Sequence, residues 1–458
     1  MRNLILLLDS LEKLKERDYE KEQQLFSELE KLPKESAIEF LIEYARSASE
    51  RNFLIIQHAL VACNTSAEKL LLLSSEAFPL GEIAKNSLFI TYTEEAVPTL
   101  TKITKSKSSD DASSAYRTLG NISSPNVQKI LFHGLKHRSN TVRSAAIDSI
   151  RIQADENWTQ DIIQAITLLS AESREKKKDN SEAINALRSI LVESVKPKSN
   201  PALLAALKSQ YTEVLKVAIS ALGATKDKSA TQPLLDLMKA PSQGLEREFY
   251  THSISKDLQT DILHALANIG DPASISDITK LPPSMQTALA LAKIQAPEAI
   301  PAIIKELEKS RTPRDTTDLT DALIQLKNLD AKSELTKSLE SEFVNVRQAA
   351  ALTLYETNTD CIATLEELLS EPSADIVRIA KTLIKLGNPK GFPALAAAIA
   401  DTDGIFRRGY SVIKACEEIP GPESRDLLLY LLEHSPRDKI HYVRDAIKTQ
   451  SKLSESPK

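Results

Sequence analysis

The residues of this 458-residue chain best suited to metal or nucleophilic chemistry are its seven histidines and three cysteines. Only His133 and His137 stand close together. On a continuous helix their i, i+4 spacing puts both rings on one face, where a zinc ion takes two nitrogens. The intervening Gly-Leu-Lys lacks the glutamate of H-E-x-x-H, and no third ligand follows nearby, so no metal and no cofactor is assigned. Cys63, Cys361 and Cys416 are far apart and form no C-x-x-C pair, which reads as three buried free thiols in a reducing compartment. Neither G-x-S-x-G nor G-x-x-x-x-G-K-[ST] occurs, so nucleophile-elbow and phosphate-loop enzymes are unsupported.

Composition narrows the chemistry further. With 58 basic and 63 acidic residues the formal charge is −5, which offers no long-range attraction to a polyanion. Only 11 glycines are present, against about 7% in average usage, so folds rich in left-handed turns are disfavoured. The one tryptophan, ten tyrosines and ten phenylalanines leave little for a base-stacking surface or an aromatic-lined cofactor pocket. The N-terminus has five consecutive apolar residues before Asp9, too few for a signal peptide or a membrane span, and a cytoplasmic chain is expected.

The elements that carry these residues repeat. Residues 375 to 401 read as helix, turn, helix. A polar cap leads into Val377, Ala380, Leu383, Ile384 and Leu386 on one face; Gly387 follows, and Pro393 opens the second helix. Equivalents of Arg378 fall at Asp111, Arg143, Val214, Asp261, Gln286, Asp318, Arg347, Arg407 and Arg444, with several steps of 29 to 32 residues. Pro98, Pro233, Pro301 and Pro393 share one slot, and Gly120, Gly223, Gly270 and Gly387 share another, read as the end of each first helix. A period of about thirty residues with two helices means a stacked solenoid. Residues 1–80 read as a helical cap or docking segment, 81–450 as the repeat array and 451–458 as a disordered tail. In the first segment Leu4, Leu7, Leu8 and Leu11 begin an apolar stripe.

The motifs Asn-Val-Arg-Gln-Ala-Ala-Ala-Leu at 345–352, Asp-Ile-Val-Arg-Ile-Ala at 375–380, Thr-Val-Arg-Ser-Ala-Ala at 141–146 and Ile-Gly-Asp-Pro at 269–272 resemble short HEAT repeats of the phycobilisome-lyase type. The resemblance implies an all-α, curved, right-handed solenoid whose second helices line a concave face. It also brings to mind two enzyme types. The solenoid DNA glycosylases use tryptophan and aspartate, which Trp158 and Asp161 echo, but a net acidic chain suits them poorly. The bilin lyases carry an arginine, tyrosine and tryptophan run that is missing here, and Trp158 is read as a partly buried packing residue.

Five arginines share one slot, Arg143, Arg347, Arg378, Arg407 and Arg444, and Glu340, Glu371 and Asp401 precede three of them by six or seven residues. They are read as an inter-repeat ladder, guanidinium on carboxylate or on helix-end carbonyl, as the resemblance also implies. Three stretches break the period: the basic run at 174–180, an insertion at 240–256 and the Thr-Pro-Arg link at 311–315. The expected inner face carries Lys102 and Lys105, then Gln232, Asp236 and Lys239, then Lys305, Glu306 and Lys309, then Glu366 and Glu367. Their mixed charge suits a protein partner better than nucleic acid. A non-enzymatic binding scaffold or assembly factor is therefore expected, with no nucleic acid and no membrane insertion; an enzyme on the same solenoid is the alternative.

Overall fold

A computed structural model of the chain describes residues 2–12, 19–176, 179–239, 253–326, 331–355, 361–400, 409–419, 421–434 and 440–455. All described elements are helices, and they fall into two compact units, the first holding Met1–Thr225 and the second the described residues from Lys226 onward. The first unit runs α1 Arg2–Glu12, α2 Tyr19–Glu30, α3 Lys34–Ala45, α4 Phe53–Ala62, α5 Ala67–Leu73, α6 Leu80–Phe89, α7 Val97–Ile103, α8 Ser109–Gly120, α9 Pro125–Gly134, α10 Asn140–Gln153, α11 Thr159–Lys176, α12 Ser181–Ser194, α13 Asn200–Ala206 and α14 Thr212–Thr225. The second runs α15 Thr231–Lys239, α16 Ser253–Ile269, α17 Ile275–Ile278, α18 Met285–Lys293, α19 Ala299–Lys309, α20 Pro313–Gln325, α21 Lys332–Ser338, α22 Val344–Leu354, α23 Cys361–Leu368, α24 Ile376–Lys385, α25 Gly391–Ala400, α26 Gly409–Glu418, α27 Pro422–His434 and α28 Ile440–Glu455.

Within each unit the pairs stack as a solenoid. First helices pack on first helices, α8 on α10 and α12 on α14 in one unit, α16 on α18, α20 and α22 in sequence in the other. A second helix sits against the first helix on either side of it, as α9 does with α8 and α10, and α19 with α18 and α20. Burial follows from that arrangement. α22 has neighbours on nearly every side and buries Val346 and the whole run Gln348 to Leu354, whereas α19 buries one stripe of Ala299, Ile300, Ile303 and Leu307.

Short polar side chains set the helix starts. Ser108, Ser284, Thr312 and Asp375 each accept the backbone N–H three residues on, opening α8, α18, α20 and α24. Asp155, Asp227 and Asp271 accept the N–H two residues on and lead through a 3-10 turn into α11, α15 and α17. Pro98, Pro233, Pro301 and Pro393 all lie within the first three residues of a second helix, where the missing N–H costs nothing.

The glycine slot divides into separate cases. Gly270 and Gly387 take φ of +68° and +69° and are left-handed helix ends. Gly120 is instead the last residue of α8 and lies against α10, where an added Cβ would stand 2.6 Å from the Ser149 side chain. Gly223 is buried inside α14, and the left-handed residue after that helix is Lys226, at φ 53°. Asn64 and Gln295 hold the same conformation after α4 and α18.

Within the first 80 residues α3, α4 and α5 all pack against α6. Leu4, Leu8 and Leu11 of α1 are buried, and the Asn52 amide donates to the Leu8 carbonyl at 3.4 Å, fastening α1 to the turn before α4. At the other end, α28 buries Val443, Ala446 and Gln450 and turns Tyr442, Arg444, Asp445 and Lys448 to solvent. The tail expected from Ser451 is helical as far as Glu455. Gln450 donates to the Cys416 carbonyl at 2.6 Å, which holds this last stretch on α26.

Candidate protein-binding surface

The exposed rows of the second helices are the candidate surface. In α15, Gln232, Asp236 and Lys239 are all exposed and share a face by their spacing of four and three. Gln232 donates to Asp236 at 2.7 Å, and Lys239 reaches Asp277 of α17 at 3.1 Å, which holds the Asp277 carboxyl below its usual range. In α19 the same periodicity exposes Pro301, Lys305 and Lys309, with Lys309 on Glu306 at 2.7 Å. In α23 Glu367 is exposed, while Glu366 turns back to the next repeat. It accepts from Lys390 at 2.6 Å and Asn388 at 2.7 Å, bonds that lower its pKa. Lys102 and Lys105 are exposed on and just after α7 and belong to the first unit, whereas the other eight candidates belong to the second.

Sequence reasoning missed Asp277, Asn388 and Lys390 as partners. Their positions just after a second-helix start or a left-handed turn place them beside a neighbouring pair, a relation that one repeat read alone does not reveal.

Arginines of the shared slot meet helix-end carbonyls and, at Arg347, a carboxylate as well. Arg347 and Arg143 are each the fourth residue of a first helix, and a helical side chain leans toward the N-terminus. Arg347 therefore donates to the carbonyls of Ser341 at 2.8 Å and Glu342 at 3.2 Å, and Arg143 to those of His137 at 2.9 Å and Arg138 at 3.3 Å. These are the same two offsets in both units, closing the turn that follows the preceding second helix. The second fork of Arg347 reaches Glu371 at 3.0 Å, the acid before Arg378, not Glu340. Arg378 pairs with Asp321 of α20, Arg444 is exposed on α28, and Arg407 and Asp401 lie outside the described residues.

Other bonds tie successive first helices. Lys85 meets Asp111 at 2.6 Å, Arg151 meets Glu193 at 3.2 Å, and Lys381 meets Glu418. Buried hydroxyls add to this: Thr118 donates to the Phe89 carbonyl and Ser149 to the Tyr116 carbonyl, both at 2.8 Å. Beside the turns that open α20, α22 and α24 runs a groove of about 680 Å³, lined by Arg311, Thr312, Phe343, Asn345, Ser373 and Asp375. The Thr-Pro-Arg link lies along it; the insertion from 240 lies outside the described residues as far as 252.

The residues first considered for chemistry are dispersed. α9 ends at Gly134, so His133 is its last histidine and His137 lies in the following turn, where its Nδ1 accepts from Ser139 N–H at 3.1 Å. They do not share a helix face. Among the described residues no group of three metal-ligating side chains converges. Trp158 is half-buried and packs on Phe132 with ring centroids 5.9 Å apart, as expected of a packing residue, and Asp161 accepts from Gln128 at 2.7 Å. Cys361 and Cys416 are buried thiols and Cys63 is half-buried, none in a disulfide. Burial pushes Cys416 up to about 12, and burial also raises Cys63.

Comparison with known proteins bears out the repeat. Residues 286–309, covering nearly all of α18 and all of α19, match the family model of the PBS lyase HEAT-like repeat. No curated protein sequence matches the chain. Among solved structures, Kap121p bound to Nup53p is similar over 99% of this chain and 55% of its own, at 13% identity and a TM-score of 0.48. Kap121p bound to Ste12p is similar over 98% and 54%, at 13% identity and 0.47. An engineered protein is similar over 92% and 99%, at 17% identity and 0.27. The chain spans about half the length of the Kap121p structures it resembles. No described helix is long and apolar enough to cross a membrane.

Proposed function

We propose that this array of HEAT-like repeats is a non-catalytic scaffold that holds a protein partner along the exposed rows of its second helices. One observation carries the proposal: the rows of α15 and α19 are regular, solvent-facing and of mixed charge, while the apolar residues of the same helices are committed to stacking. Such a surface supplies rim charges and hydrogen bonds over several repeats, the form of recognition suited to an extended protein contact. The Kap121p structures captured with Nup53p and Ste12p are examples of a protein that binds other proteins.

The test is affinity capture of the tagged chain from its native cell at moderate salt, with mass spectrometry of what stays bound, repeated with Lys305→Glu and Lys309→Glu combined. A defined protein set that the double charge reversal removes supports the scaffold. A set unchanged by the reversal, or a bait that retains nucleic acid or a pigment absorbance, overturns it in favour of the enzyme alternatives.

A further inference from the structure

The groove of about 680 Å³ beside the turns that open α20, α22 and α24 lies wholly within the second unit. Apart from Glu308 near the end of α19, its wall is made by those turns and by first helices, so it is separate from the exposed rows of the second helices. Packed helices stand about 8–10 Å apart, so the three helix starts span about 16–20 Å, the length of about five or six residues of extended chain.

Two side-chain amides of α22, Asn345 and Gln348, line the groove one turn apart. Asn345 Nδ2 donates to the Ser310 carbonyl at 3.2 Å, and Gln348 Oε1 accepts the Asp375 backbone N–H at 2.7 Å. Each backbone partner fixes which end of the amide faces it. Asn345 Oδ1 and Gln348 Nε2 are left with no hydrogen-bond partner among the described residues, and neither atom is sealed from solvent. Gln348 is 4% exposed and lines the groove, so a donor held almost wholly inside the protein stays unpaired there. A residue of extended chain turns its own N–H and C=O to the same side, and an acceptor beside a donor is the complement of that pair.

Charge selects among such chains. Glu308, Glu342 and Asp375 face Arg311, three acids against one cation, which leaves −2 among the described lining residues. Neither Glu308 nor Glu342 pairs its carboxylate with a described residue. Phe343, 37% exposed, adds an apolar wall for the methylene stem of a lysine or arginine. We propose that this groove docks an extended, lysine- or arginine-bearing segment of a partner protein, its main chain on Asn345 and Gln348 and its charges on Glu308 and Glu342. The surface is a second one, and its occupancy does not rest on the second-helix rows.

The experiment is fluorescence anisotropy of the full chain with three labelled octapeptides: alternating Lys-Ser, alternating Gln-Ser, and Lys-Ser N-methylated throughout. Saturable binding of Lys-Ser is expected, about tenfold tighter than Gln-Ser and several-fold tighter than the N-methylated probe. Glu308→Gln and Glu342→Gln combined should weaken Lys-Ser about tenfold and Gln348→Ala several-fold, both with unchanged circular dichroism, and Arg311→Gln should tighten it. Because Gln348 is buried, the N-methylated probe tests the main-chain contact without disturbing the fold. Equal affinity for Lys-Ser and Gln-Ser, Lys-Ser binding unchanged by the double substitution or by N-methylation, or no binding at millimolar concentration overturns the proposal. Self-association in the ultracentrifuge that the double substitution abolishes, with no peptide bound, overturns it in favour of a second copy of this chain.

Discussion

Gly120 and Gly387 occupy the same slot of the repeat for unrelated physical reasons. At Gly387 an added Cβ meets nothing within 4 Å, so the whole cost of Gly387→Ala is the left-handed backbone, about 1–2 kcal/mol. Gln295 holds φ 62° in the matching turn after α18, and Gln295→Gly should gain about 1 kcal/mol there. Thermal denaturation of both variants checks the pair, and equal signs for the two would refute the account. The thiols give a second residue-scale prediction. Because burial lifts Cys416 to about 12 in the folded chain, the unfolded thiol ionises first as pH rises above about 8.5. Its contribution to stability is present below that pH and falls progressively toward pH 12. In native protein at pH 8 a thiol reagent should modify half-buried Cys63 before Cys416, measured by mass spectrometry of the labelled peptides.

Joints between helices depend on polar groups that single-helix periodicity does not display. The Arg347 side chain joins the turn after α21 to Glu371 beyond α23, and it is 14% exposed. Arg347→Ala should cost about 1.5–3 kcal/mol, and Arg347→Lys should recover only part, since one ammonium cannot span both carbonyls and the carboxylate. Chemical denaturation of the three proteins tests this, and a fully restored lysine variant would refute the forked geometry. Glu156, in the turn before α11, meets Lys198 at 2.8 Å and Lys196 at 3.2 Å at the turn before α13, and these lysines hold its pKa down to about 2. Its stabilisation is therefore complete above the usual carboxylate range and is lost as pH falls through about 2. Glu156→Gln should be less stable than the parent at pH 7, with the gap closing by pH 2.

Two compact units, each with its own stacked core, imply separable cooperative transitions. Leu131 in the first unit and Leu383 in the second are both fully buried, so truncating either to alanine should cost about 2–5 kcal/mol. Calorimetry should show Leu131→Ala moving one transition and Leu383→Ala the other. A shared shift in both would mean that the units unfold as one.

Much of this molecule was legible from its residues. The period of about thirty, the prolines at second-helix starts and the small apolar residues of first helices all reflect local rules of capping and burial that act within a few turns of chain. The same rules placed Trp158 as a packing residue and marked Lys305 and Lys309 as exposed. They failed where the deciding neighbour lay a repeat away. Gly120 is small because Ser149 sits against it, Arg347 finds Glu371 rather than Glu340, and the helix that would have aligned His133 with His137 stops at Gly134. Only packing settles such cases, because which side chains meet depends on distance in space rather than on spacing along the chain.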